Sequence, residues 1–229
     1  MHRDKVILSL KYVSLSFRGL KIFENLSVDF VSGKVNVIVG ENGSGKTTLF
    51  NLISGLVKPQ NGKILLNSED ITSLSFEKRA KMGIVRSFQE AKIFRFMNTC
   101  DNGLFAFRYL PFERFFKSLF RGVKKEREYV KAFLKEFNLE EKCFSKAGEL
   151  SLGNQRLLNL LTVLNTKGRV FLLDEPLAGI NEVFYESIIK RIKEIASENL
   201  VIVIEHSWGT IEALEGKVYK LEGGKIFGV

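Results

Sequence analysis

The sequence predicts an α/β fold with a parallel sheet at its centre, and three observations predict it. The apolar, β-branched run Val35 to Val39 reads as a buried strand that passes through a glycine-rich turn into an amphipathic helical pattern. Val170 to Leu173 and Leu200 to Ile204 are two further continuous apolar runs, the pattern of parallel strands covered on both faces. Between these and the first run, from about Glu90, apolar residues change to a helical period, with Val130, Phe133, Leu134 and Phe137 at i, i+3, i+4 and i+7.

Taken in order, Val6 to Phe17 and Leu26 to Phe30 alternate apolar and polar, which predicts antiparallel strands joined near Arg18-Gly19. The turn after Val39 has the spacing G-x-x-x-x-G-K-[ST], from Gly40 to Thr47, between a strand and a helix as a phosphate-binding loop requires. Glycines Gly40, Gly43 and Gly45, with Asn42 and Ser44, let the loop wrap an anion with its N–H groups pointing inward. The helix that starts near Lys46-Thr47-Thr48 adds its positive dipole end. Lys46 then reaches the β- and γ-phosphates, and the Thr47 hydroxyl is a ligand for Mg²⁺. Further along, Pro59 to Gly62 is a turn, Lys63 to Leu66 a strand, Ser75 to Met82 a short helix and Ile84 to Phe88 a strand. Residues Glu90 to Leu164 read as a helical lobe inserted in the α/β domain. A helix from Glu182 to Ile195 lies between the two later buried strands, and a strand from Lys217 to Leu221 follows them.

Composition bounds the rest. A chain of 229 residues has room for one large domain with a sizeable core. No apolar run approaches the roughly 18 residues of a membrane span, and the N-terminus lacks the apolar length of a signal peptide, so a cytoplasmic location is expected. Cys100 and Cys143 form no metal spacing, and a disulfide between them is not expected. With His2 and His206 as the only histidines, a histidine-based metal centre is excluded. The net charge of +9 favours an anionic partner, be it nucleic acid, lipid headgroups or nucleotide.

The strand Val170 to Leu173 ends in Asp174-Glu175, which places two acids at the mouth of a parallel sheet, where open α/β folds bind ligands. Asp174 suits Mg²⁺, held through water, and Glu175 suits an attacking water that must be oriented or deprotonated. Together with the phosphate loop these positions resemble the ATP-binding-cassette (ABC) ATPases. Leu150-Ser151-Leu152-Gly153-Asn154 is similar to that family's LSGGQ signature, Gln89 falls at its Q-loop, and Ala178 to Asn181 at its D-loop. His206 after Glu205 matches the switch histidine, and Phe17 the aromatic that stacks on adenine. The resemblance runs over nearly the whole chain. It implies one ABC ATPase domain over residues 1–229, a P-loop NTPase core with an N-terminal antiparallel β subdomain (1–89 and 165–229) and an inserted helical lobe (90–164).

It implies further that two ATPase subunits, as a homo- or heterodimer, meet head to tail. Ser151 and Gly153 of one would grip the γ-phosphate held by the other, while His206 and Glu175 position water and Gln89 serves the metal. Partners would be integral membrane permease subunits at the cytoplasmic face of the plasma membrane, with no specific nucleic acid. GIVRSFQEAKIFRFM (Gly83 to Met97), AGIN and Glu205-His206 look most like the branched-chain amino-acid importer ATPases. Leu152, Asn154 and the run Leu160 to Val163 depart from the family pattern, and the C-terminal extension of those importers is missing after Val229. ATPases of export or lipid transport, or of soluble systems acting on DNA or ribosomes, are the other classes in this family.

One stretch belongs to none of the motifs. Between Arg108 and Lys131 eight basic residues face three acidic ones, a net of +5, and Phe112, Phe115, Phe116, Leu119 and Phe120 recur at helical spacing. The pattern fits a lobe helix with a solvated basic face, or one lying toward anionic lipid.

Overall fold

The computed structural model describes residues 5–88, 92–107 and 124–229. Gln89 and the run from Arg108 to Arg121 therefore lie outside the described residues. The chain forms two compact units, one of Met1–Ser87, Gly168–Pro176 and Ile188–Val229, the other of Phe88–Lys167 and Leu177–Ser187.

The first unit holds two sheets. Strands β1 (Ile7–Phe17), β2 (Leu20–Val31), β4 (Asn61–Leu66) and β5 (Glu69–Asp70) make an antiparallel sheet of order β2-β1-β4-β5. The hairpin between β1 and β2 turns at Arg18 (φ 48°) and Gly19 (φ 85°), the two left-handed positions of a type I′ turn. β2 starts six residues earlier than the alternation indicates. The reason lies in bulges: the register slips between Leu10 and Val13, between Val13 and Leu15 and between Leu15 and Ser16, and each slip resets the two-residue period.

The second sheet has the order β10-β9-β3-β8-β7-β6. Its strands are β3 (Val35–Val39), β6 (Ile84–Arg86), β7 (Val170–Asp174), β8 (Leu200–Ile204), β9 (Lys217–Glu222) and β10 (Lys225–Gly228). Pairings from β9 through β6 are parallel, and β10 adds one antiparallel edge strand. Every residue of β7 and β8 is buried, as their unbroken apolar runs require. Helix α1 (Lys46–Ser54) packs Leu49, Phe50, Leu52 and Ile53 into one core shared by both sheets. Helix α2 (Phe76–Lys81) follows β5 and leads into β6.

The second unit is helical. It holds helix α3 (Thr99–Phe107), helix α4 (Lys124–Lys135) and helix α5 (Leu152–Leu164), with two short 3₁₀ turns between α4 and α5, and helix α6 (Tyr185–Glu198) begins there. Val130, Leu134 and Phe137 are buried, so the helical period marks their common face correctly. Gly103 on α3 is a close-approach position, since a Cβ there would stand 2.7 Å from Cγ1 of Val130. Helix α7 (Trp208–Leu214) precedes β9 in the first unit. No helix among the described residues is long and apolar enough to cross a membrane.

The structure corrects the cysteine expectation: Cys100 and Cys143 are joined by a disulfide, with Cα atoms 4.7 Å apart. Residues 95–100 and 143–148 run alongside each other. Cys100 N–H donates to Cys143 O (2.9 Å), Thr99 N–H to Ser145 O (3.0 Å), Ala147 N–H to Met97 O (2.9 Å) and Gly148 N–H to Arg95 O (3.0 Å). The cysteines are partners in this local ladder, a relation that 43 residues of separation conceal. Alkylation of the denatured, unreduced protein should leave both thiols unmodified by mass, and reduction should add two adducts. Cys143→Ser should lower unfolding free energy in urea by about 2–4 kcal/mol.

Candidate active site

Three parallel strand ends build the site. β3 pairs with β8 (Val37 opposite Val203) and β8 with β7 (Ile204 opposite Asp174), so all three release their chains at one edge of the sheet. There β3 delivers the phosphate loop, β7 delivers Asp174-Glu175 and β8 delivers Glu205-His206. Backbone bonds lock the edge: Glu175 N–H donates to Ile204 O (3.0 Å) and Glu205 N–H to Ile38 O (3.2 Å).

The loop from Gly40 to Gly45 is tightly folded. Gly43 (φ 80°) and Gly45 (φ 103°) occupy left-handed conformations that side chains resist. Gly40 has no room for a Cβ, which would collide with the Leu221 carbonyl and stand 2.9 Å from Ser44 Oγ. Gly45 caps α1, and Lys46 Nζ donates to Gly40 O (2.7 Å) and Glu41 O (2.8 Å), folding back over the loop. Ser44 Oγ is buried with no hydrogen-bond partner among the described residues. Asn42, Gly43 and Thr47 are exposed, Thr48 half-buried, and Glu41 to Ser44 line a cleft of about 210 Å³ with Lys220 to Glu222 of β9 and Gly223 after it.

The acids sit in contrasting surroundings. Asp174 is buried, and burial pushes its carboxyl above the usual range; the Arg86 guanidinium opposes that, with NH2 3.9 Å from Oδ2. Glu175 is more open, and its Oε1 stands 3.6 Å from Nδ1 of the exposed His206. Buried Glu205 accepts from the backbone N–H groups of His206 (2.9 Å) and Ser207 (3.0 Å) through Oε1, which also stands 3.9 Å from His206 Nδ1. The imidazole is thus flanked by two carboxylates, one of which fixes its backbone. Phe17, 46% exposed, lies in the β1–β2 hairpin opposite Leu20.

The signature residues lie in the helical unit. Ser151 caps α5, its Oγ accepting from Asn154 N–H (3.3 Å), and Leu152 projects with 74% exposure. Gln155 is buried and donates to the carbonyls of Gly148 (3.3 Å) and Leu150 (2.8 Å), which fixes the approach to that cap. Gly153 packs against the D-loop, where a Cβ would stand 3.1 Å from Gly179 O.

This arrangement defines a P-loop α/β nucleotide-binding protein. The family profile described as ABC transporter matches residues 23–178, and the chain belongs to that family. It is an ATP-binding and ATP-hydrolysing cassette. It is 31% identical to the high-affinity branched-chain amino acid transport ATP-binding protein BraF of Pseudomonas aeruginosa, over 96% of this chain and 90% of that protein. It is 28% identical to LivG of Escherichia coli, of the same description, over 95% and 89%. A lipopolysaccharide export ATP-binding protein, LptB of Acidithiobacillus ferridurans, is 31% identical over 92% and 84%. Among solved structures, a nucleotide-free ATP-binding cassette from an ABC transporter superposes with a TM-score of 0.76 at 30% identity, covering 97% and 90%.

Sequence reasoning missed the residues that hold the phosphate helix at its far end. Arg79 of α2 is fully buried, donating from NH1 to Leu52 O (2.6 Å) and Ile53 O (2.8 Å), from NH2 to Thr72 O (2.9 Å) and from Nε to Leu74 O (3.2 Å). A cation here meets the negative end of the α1 dipole and its orphan carbonyls. Burial lowers its pKa to about 10, so it remains charged at neutral pH. The only sequence signal was a basic residue in an amphipathic turn. Arg79→Met strands these carbonyls in the core and should cost about 3 kcal/mol. Urea unfolding should show a lower midpoint at an unchanged slope.

Proposed function

We propose that this cassette powers a membrane importer of branched-chain amino acids or similar small solutes, docked with permease subunits at the cytoplasmic face of the membrane. The observation that carries the catalytic part is the meeting of phosphate loop, Asp174-Glu175 and His206 at one sheet edge. Substrate class rests on the likeness to the two branched-chain amino acid transport ATP-binding proteins. The first unit is the catalytic core, and the second is the helical lobe with the signature motif.

ATP would lie with its phosphates on the N–H groups from Gly40 to Thr48 and its base toward Phe17, Lys46 swinging from the loop carbonyls to the β- and γ-phosphates. The residues fit Mg²⁺: Thr47 and Asp174 offer hard oxygen donors, with Gln89 a further one, and Asp174 Oδ1 is buried without a hydrogen-bond partner among the described residues. Among the described residues no group of three or more His, Cys, Asp or Glu could hold a metal by itself, so phosphates and water would complete the shell. When bound, the ion neutralises charge on the phosphates. Glu175 orients water for in-line attack and takes its proton, and His206 steadies Glu175 and the γ-phosphate. A second ATPase subunit supplies Ser151 and the Gly153 N–H across a head-to-tail interface, so closure completes the site.

Co-purification of a polytopic membrane subunit, and uptake of labelled leucine by the reconstituted complex, test the reading. Lipopolysaccharide-stimulated ATPase without leucine uptake would instead favour an export system, the reading that the likeness to LptB supports.

Glu175→Gln should retain ATP binding and lower turnover by about 10² or more. Lys46→Ala should weaken ATP binding itself, measured by titration calorimetry. Leu152 places an exposed apolar side chain where the family signature has glycine. In the Glu175→Gln background, Leu152→Gly should tighten the ATP-dependent dimer seen by size exclusion, and a looser dimer would show that Leu152 is itself an interface contact.

A further inference from the structure

Arg86 ends β6, the edge strand of the parallel sheet, yet its side chain is only 4% exposed and lies beside Asp174 at 3%. Helix α1 holds the guanidinium: NH1 donates to Asn51 Oδ1 at 2.6 Å and to Ser54 Oγ at 3.3 Å, and the guanidinium carbon stands 5.7 Å from the Phe50 ring centroid. Its NH2 reaches only 3.9 Å from Asp174 Oδ2, beyond hydrogen-bond distance. Asp174 N–H is fixed by Ser87 Oγ (2.9 Å), while Asp174 Oδ1 has no hydrogen-bond partner among the described residues. Side chains of helix α1 thus hold this charge at a distance from the acid. A guanidinium clamped onto both oxygens would close the carboxylate; one held off by the α1 side chains offsets its charge and leaves an oxygen uncommitted.

We propose that Arg86 is a fixed counter-ion, a positioning residue that leaves an oxygen of buried Asp174 open and limits how strongly that acid draws a divalent cation. The proposal rests on the reading that Asp174 holds Mg²⁺. It makes Mg²⁺ uptake weaker than a bare buried carboxylate would give, because the ion must approach against a resident positive charge. The chain elsewhere satisfies a buried guanidinium's hydrogen bonds with carbonyls, as at Arg79, so direct contact of Arg86 with this acid is not forced by burial.

The test is the ratio of the ATP dissociation constant in EDTA to that in saturating Mg²⁺. A general loss of anion attraction or of folded protein cancels in that ratio, whereas the metal's contribution does not. Arg86→Met and Arg86→Gln, which remove the charge with different shapes, should raise the ratio about tenfold. Arg86→Lys should stay near wild type, and Asp174→Asn should lower the ratio well below the wild-type value. Thermal melts of each variant report any purely structural loss separately. If Asp174→Asn collapses the ratio but neither uncharged Arg86 variant raises it, the counter-ion role is overturned while the metal reading stands. A wild-type ratio in Asp174→Asn overturns both.

Discussion

Parallel pairing of β3 with β8 and of β8 with β7 brings the phosphate loop, His206 and the acids to one edge, because each strand ends at the same level. A slip of one residue would turn every side chain to the opposite face. In β7 it would exchange Asp174 with its neighbours and move the acid away from the loop. The fully buried strands forbid that slip on packing grounds, so a core made of Val, Ile and Leu specifies polar geometry it does not touch.

Charge burial in the first unit takes three forms. Arg79 is hydrogen-bonded by carbonyls, two of them at a helix end, Glu205 by two backbone N–H groups, and Asp174 is faced by a guanidinium at arm's length. The first two are closed arrangements that fix backbone. The last leaves Asp174 Oδ1 without a hydrogen-bond partner among the described residues, and it is the one beside the phosphate loop.

Much of this was legible in the sequence. Val35 to Val39 is a strand with the bounds read from its apolar run, and β7, β8 and β9 lie within a residue of their expected ends. These are segments whose period and length speak locally. The phosphate loop is equally local, since glycine spacing alone dictates the turn. What was hidden depends on distant partners. Cys143 finds Cys100 only once residues 95–100 and 143–148 lie side by side. Arg79 and Arg86 read as ordinary basic residues because nothing in their neighbourhoods names helix α1 as their partner. β10 follows a Gly-Gly turn so closely that it merged with the chain end. Roles for Phe17, Gln89, Ser151 and Gly153 came from resemblance, for no single residue type announces them.

Glu175 leaves β7 with φ at 45°, a left-handed conformation that costs a residue with a Cβ about 1 kcal/mol or more. Glycine would adopt it freely, and asparagine with less penalty. On the proposal that Glu175 serves the attacking water, that strained exit from β7 is part of how its carboxylate comes to stand 3.6 Å from His206 Nδ1.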